Sequence, residues 1–92
     1  MGYQYGSKKT ALNGIYLWLQ RTQRVKVTPN NQFSQNQALN QCTEIMKQFL
    51  ISENIEIPKY NKQPDADKMS FIIQPLFQKF SQYVFKHHPI IL

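Results

Sequence analysis

Few side chains in this sequence could carry out covalent or acid–base chemistry. They are Cys42, two histidines and five carboxylates, and the carboxylates all fall between Glu44 and Asp67. A nucleophile needs a base and an orienting group beside it. Cys42, however, sits in the middle of an apolar helical stripe, where a cysteine is usually a small buried hydrophobe. The three glycines are too scattered to cradle a phosphate. The sequence therefore predicts a protein that is not an enzyme.

The two histidines do not indicate a metal site. His87 and His88 are adjacent, so on a helix their side chains point about 100° apart and cannot chelate as an i, i+4 pair does. At a helix end they instead favour the negative pole of the dipole when protonated. Cys42 has no second cysteine to pair with, which fits a reducing compartment. We expect no metal and no cofactor.

Length and charge limit the classes of protein that remain. The 92 residues suffice for one small domain, residues 1–92, and no apolar run is long enough for a transmembrane helix. The net charge is +6, and no acid occurs before Glu44 or after Asp67. Two basic ends of this kind suit an acidic protein surface, an anionic membrane surface or nucleic-acid phosphate.

The pattern of apolar residues predicts an all-α fold of three helices. After an extended N-terminal arm (1–9), the first helix covers 10–24, with an apolar stripe at helical spacing but Gly14 in its interior. The second covers 35–53 and begins with a capping-box pattern, Ser34 and Gln37. The third covers 67–88, with caps from Asp65 and Asp67. The main contact seam is expected to comprise Leu39, Cys42, Ile45, Met46, Phe49, Ile72, Ile73, Leu76, Phe77, Phe80 and Val84.

Pro75 interrupts the periodic pattern of the third helix. A proline inside a helix removes one backbone hydrogen bond and clashes with the preceding turn. The sequence therefore predicts a kink at Pro75, or a short helix that ends before it and a longer one that restarts. Pro89 ends the helix and leaves an apolar C-terminal arm, residues 89–92.

The first helix carries more apolar surface than a three-helix core can accept on one side. An excess of several hundred Å² on a small chain is typical of an interaction surface, and aromatic residues and arginine dominate the energetics of such surfaces. We expect partner contact at Tyr16, Leu17, Trp18, Arg21, Arg24, Phe85, Ile90, Ile91 and Leu92. The alternative is that these side chains fold back and cap the small core. The sequence thus favours a non-catalytic accessory subunit that stabilises a larger protein assembly.

A small nucleic-acid-binding protein, such as a ribosome-associated one, is the alternative function. Aromatic residues alternate with cations along the N-terminal part, a mixture that could stack bases and contact phosphates. Against this alternative, lysine and arginine are only 11 of 92 residues, and no stretch matches the zinc-finger, RNP or basic-zipper signatures. The residues concerned are Tyr3, Tyr5, Lys8, Lys9, Tyr16, Trp18, Arg21, Arg24 and Lys26.

The N-terminal region also bears on location inside the cell. It is free of acids, contains arginine and is amphipathic, as mitochondrial targeting segments are. It differs from them in being poor in Ser and Ala and in carrying Trp18. The expectation from these features is an intracellular, mitochondrial protein that belongs to a respiratory-type membrane complex.

Overall fold

Helices make up most of the chain in the computed structural model, which describes residues 7–26 and 32–90. Side chains are described from residue 11 onward in the first range and from residue 35 onward in the second. The helices are α1 (Ser7–Arg21), α2 (Gln32–Ser52), α3 (Ala66–Ile73) and α4 (Phe77–His87). α3 packs against α1 and α2, and α4 packs against α2. The predicted all-α class is confirmed.

The N-terminal bounds of the first two helices differ from the predicted ones. α1 begins at Ser7, so residues 7–9 are helical and the arm predicted for them is wrong; residues 1–6 lie outside the described part of the chain. No glycine or proline separates Ser7 from Thr10, so nothing stops the helix from extending backward. α2 begins at Gln32, which places Ser34 inside the helix. The predicted capping box at Ser34 is therefore wrong, because an N-cap residue lies outside the helical backbone.

Helices α1 and α2 end in the same hydrogen-bonded motif. In α1 the N–H of Arg24 donates to the carbonyl of Leu19 (2.8 Å) and that of Gln23 donates to Gln20 (3.0 Å), while Gln23 has φ of 66°. This is the Schellman pattern, in which a left-handed residue reverses the chain and satisfies the last carbonyls. The motif ends α1 at Arg21, three residues before the predicted end. In α2 the left-handed residue is Asn54 (φ 61°).

A short hairpin connects α2 to α3. Lys59–Tyr60 pairs antiparallel with Gln63–Pro64, and these segments are β1 and β2. The two residues between them, Asn61 and Lys62, have φ of 54° and 66°, as a two-residue type I′ turn requires. The sequence pattern did not indicate this hairpin, because strands of two residues leave no detectable alternation. Asp65 then caps α3 as predicted, its carboxylate accepting from the N–H of Lys68 at 3.2 Å.

The third predicted helix is divided at Pro75. α3 ends at Ile73, a 3₁₀ turn covers Gln74–Leu76, and α4 restarts at Phe77. Pro75 occupies the start of the 3₁₀ turn, where its missing N–H leaves no helical bond unmade. Of the two predicted arrangements, the short helix followed by a longer one is the one that forms.

The core contains residues from all four helices. Seven residues of the predicted seam are buried, and Ile72, Leu76 and Phe77 are half-buried against them. Leu39 is exposed, which corrects its assignment to the seam, because the buried face of α2 runs through the neighbouring Ala38 instead. Val25, just after the end of α1, is buried as well. The fully buried side chains include Leu19, Val25, Cys42, Met46, Phe49, Leu50, Met69, Ile73, Phe80 and Val84.

Candidate functional site

Trp18 is the centre of an aromatic cluster that joins α1 to α4. Its ring lies edge-on to Phe77, with ring centres 5.0 Å apart, and tilted against Phe80 (6.0 Å) and Phe85 (5.5 Å). Phe80 is fully buried, Phe77 half-buried and Phe85 exposed. Trp18 therefore links the core to the surface, and aromatic pairs at these separations add stability beyond their buried area.

Arg24 covers one face of Phe85. The carbon at the centre of its guanidinium lies 4.7 Å from the centre of the Phe85 ring, within the range of a cation–π contact. Its Nε donates to the carbonyl of His88 (3.0 Å) and its Nη1 donates to the carbonyl of Thr22 (2.7 Å). The Schellman motif at Gln23 makes this possible, because it turns the chain back toward the C-terminal end of α4.

Two exposed apolar side chains are neighbours of Trp18, Leu17 in sequence and Phe85 in space. Leu17, the preceding residue on α1, is 49% exposed, and Phe85, which contacts the Trp18 ring, is 53% exposed. Arg21 lies one helical turn after Leu17 and is also exposed. We refer to Leu17, Trp18, Arg21, Arg24 and Phe85 together as the Trp18–Phe85 surface. They contribute apolar area, aromatic rings and guanidinium groups to a surface formed by two helices.

The other residues predicted for partner contact lie around this surface or beyond the described chain. Tyr16 is half-buried and packs against the core, so it contributes little free surface. Ile90 is 48% exposed and follows His88, whose carbonyl accepts from Arg24. Ile91 and Leu92 lie outside the described residues. Part of the predicted set therefore folds back onto the core, as the alternative interpretation expected, and part stays exposed.

The two helices that carry the Trp18–Phe85 surface contain charged side chains of one sign, although Glu44 of α2 lines the crevice beside it. Neither α1 nor α4 contains an aspartate or a glutamate, whereas α1 ends with Arg21 and the last turn of α4 carries Lys86 and His87. Among the described residues, the two side-chain ion pairs are Lys47 with Glu44 and Lys79 with Glu53. Both use carboxylates outside α1 and α4. The two helices that form the surface therefore present an excess of positive charge.

The residues whose side chains could perform chemistry lie in different environments. Cys42 is fully buried in the core, and burial raises the pKa of its thiol to about 12, so the unreactive protonated form prevails near neutral pH. Within residues 7–26 and 32–90, no three His, Cys, Asp or Glu side chains are close enough to hold a metal ion. The Trp18–Phe85 surface itself consists of aliphatic, aromatic and guanidinium side chains.

A crevice beside this surface holds His88. It is lined by Arg24, Gln41, Glu44, Ile45, His88 and Pro89. The Nε2 atom of His88 is buried and has no hydrogen-bond partner among the described residues. Burial, and then the positive charges of His87 and Arg24, lower the pKa of His88. The neutral imidazole therefore prevails at pH 7.

Neither a protein-family model, nor a curated protein, nor a solved structure matches this chain. The helices within the described ranges are also too short or too polar to cross a bilayer. Any functional conclusion must therefore come from the chain's own side chains and their arrangement.

Sequence reasoning missed the feature that organises this site. Arg24 and His88 are 64 positions apart, and no sequence pattern links them. The signal that was available is compositional: Trp18, Arg24 and Phe85 are residue types that favour interfaces. Their selection as candidates came from that preference, whereas their mutual contact depends on how α4 lies beside α1.

Proposed function

We propose that this protein is a non-catalytic accessory subunit that binds and stabilises a larger protein assembly through its Trp18–Phe85 surface. The observation that carries the proposal is the exposure of Leu17 and Phe85 beside a core that is already filled. About half of each of these large apolar side chains remains accessible, whereas core side chains such as Leu19, Phe49 and Phe80 are fully buried. A partner that covered Leu17 and Phe85 would remove their apolar area from water, which would stabilise the complex.

The rigidity of the surface supports the same function. Trp18 is held by three aromatic neighbours, and Arg24 is held by two carbonyls. Side chains that are already ordered before binding lose little conformational entropy when a partner docks. Aromatic and arginine anchors of this kind contribute most of the binding energy at protein interfaces.

The proposal includes a location in the mitochondrion, within a membrane-associated complex of the respiratory type. Its support is the composition of the N-terminal part, which is basic, free of acids and amphipathic over α1. Microscopy of the full chain carrying a C-terminal fluorescent tag tests this part separately. Exclusion of the tagged chain from mitochondria would remove the location and leave the binding function standing.

Sedimentation of the full chain from gently lysed cells tests the binding function. We expect the tagged protein to travel in a gradient with particles much larger than a 92-residue monomer, and to stay there when salt is raised from about 0.05 to 0.5 M, because apolar contacts resist salt. Recovery only as a free monomer would refute the proposal. Release that is steep in salt, with nucleic acid in the same fractions, would favour the nucleic-acid alternative.

The chain provides a matched pair of variants for that experiment. Leu17→Gln removes an exposed apolar group from the Trp18–Phe85 surface and should return the protein to the monomer fractions. Ile51→Gln removes one from α2, where Ile51 is 58% exposed, and should leave it in the large particles. Equal effects of the two substitutions would show that the Trp18–Phe85 surface is not the contact.

A further inference from the structure

We infer that the part of the partner that occupies the Trp18–Phe85 surface is an acidic amphipathic helix. The inference rests on the proposed function and adds the chemistry of the partner. Its apolar face would cover Leu17 and Phe85, and its carboxylates would lie against Arg21 and Lys86.

The acidic character follows from charge complementarity. α1 and α4 contain no carboxylate, and each ends with a cation, Arg21 in α1 and Lys86 in the last turn of α4. Arg21 and Lys86 are exposed, and neither takes part in an ion pair within the described ranges. A basic partner would meet like charge at the C-terminal ends of both helices, which costs free energy and slows association. An acidic partner avoids this free-energy cost and associates faster.

The helical character follows from the backbone of the surface. Leu17 and Phe85 both lie inside helices, whose N–H and C=O groups are already bonded within the helix. An extended peptide gains affinity by pairing its backbone with a free strand edge, and no such edge is available at this surface. A helix satisfies its own backbone and presents only side chains.

The arrangement of the rings favours protein over nucleic acid. Base stacking needs an open aromatic face, but one face of Phe85 is covered by the Arg24 guanidinium, and Trp18 is enclosed by Phe77, Phe80 and Phe85. Arg24 also donates to two backbone carbonyls, so two of its donors are not free for phosphate. What remains accessible is the edge of an aromatic cluster and the aliphatic Leu17.

Titration with synthetic helices tests the inference. The purified full chain is titrated with two peptides of about 20 residues, long enough to fold as helices. Both carry the same leucine stripe; one has glutamate on its flanks and the other lysine. Neither contains tryptophan, so the emission of Trp18, the single tryptophan of the protein, reports docking directly. We expect saturable binding of the glutamate peptide at least about tenfold tighter than that of the lysine peptide.

Variants connect the binding to the named side chains. Leu17→Gln should weaken binding of the glutamate peptide about tenfold or more, as loss of an anchor does, while Ile51→Gln should change it by less than about twofold. Arg21→Gln and Lys86→Gln should each weaken it about two- to fivefold at low salt, the usual range for an exposed ion pair. Circular dichroism confirms that each variant is folded.

Several outcomes would overturn the inference. One is equal affinity for the glutamate and lysine peptides, or no binding of either. Another is an equal loss in Leu17→Gln and Ile51→Gln. A third is a Trp18 response to vesicles containing phosphatidylserine, or to a single-stranded oligonucleotide, without a response to the glutamate peptide. If sedimentation places the protein in a large assembly and the glutamate peptide does not bind, the accessory function survives and the acidic helix does not.

Discussion

Arg24 lies with its guanidinium 4.7 Å from the centre of the Phe85 ring, and the two residues come from opposite parts of the chain. The contact joins the segment after α1 to the C-terminal end of α4, because the same guanidinium also donates to the carbonyl of His88, the residue that follows α4. Arg24 was expected to contact a partner. Its position gives it a role within the monomer as well, and the two roles need to be separated by experiment.

Replacing Arg24 should destabilise the isolated protein. Arg24→Gln removes hydrogen bonds to two carbonyls and the contact with Phe85, so the free energy of unfolding should fall by about 1–2 kcal/mol. Urea unfolding followed by circular dichroism measures the change. Arg21→Gln is the control, since Arg21 is exposed, and should change stability by less than about 0.5 kcal/mol. Equal stability of the two variants would mean that the Arg24 contacts contribute nothing.

Trp18→Ala should lower the free energy of unfolding. A loss of binding in this variant would then reflect lost folding as well as a lost partner contact. Removal of a large aromatic side chain that contacts Phe77, Phe80 and Phe85 should cost about 2–3 kcal/mol, somewhat less than for a fully buried ring. Leu17→Gln, on the exposed side of α1, should cost less than about 0.5 kcal/mol. Thermal unfolding compares them. A Trp18→Ala protein as stable as Leu17→Gln would show that the aromatic cluster is not structural.

Gly14→Ala should stabilise the protein. Gly14 lies inside α1 with open space where a Cβ would be placed, so alanine meets no obstacle and removes the entropic cost of glycine. The expected gain is about 0.5–1 kcal/mol, and Gly14→Ser should give roughly half of it. Chemical denaturation of the three proteins shows the order. A loss of stability in Gly14→Ala would contradict the open environment at this position.

Stability should decline as pH falls below about 6.5 because of His88. Burial, followed by the charges of His87 and Arg24, lowers the pKa of His88 from its ordinary value of 6.5 in the folded protein. Below that value the unfolded chain takes up a proton that the folded chain resists, so unfolding is favoured. The loss is complete once the pH has passed the lowered pKa of the folded state, and above 6.5 this effect is absent.

The stability-versus-pH profile of His88→Gln is the control for that effect. Glu44 lines the same crevice as His88 and would favour the protonated imidazole. The measured slope therefore reports the balance of burial, His87 and Arg24 against Glu44. Urea midpoints between about pH 5.5 and 7.5, a range that spans the ordinary histidine pKa, should decline toward acid in the parent protein and less so in His88→Gln. A slope of the same size in both would exclude His88 as its source.

The presence of the helices and most of the core residues were predictable from the sequence. The apolar period of α2 predicted that Cys42, Met46 and Phe49 would be buried, because a face of that width must be removed from water. Asp65 was identifiable as a cap, and Pro75 as an interruption, because both effects are local. Predictions of the helix ends were poorer: the Schellman turn at Gln23 uses a residue type that gives no signal.

Tertiary structure alone decided the candidate site. Residue types suggested Trp18, Arg24 and Phe85 for partner contact, but which of them stays exposed depends on the side-chain contacts that α1 and the residues after it make with α4. That packing half-buries Trp18, leaves Leu17 and Phe85 accessible, and brings Arg24 to a carbonyl 64 positions away. Contacts between distant segments depend on the relative placement of whole helices, whereas sequence periodicity reports only on each helix by itself.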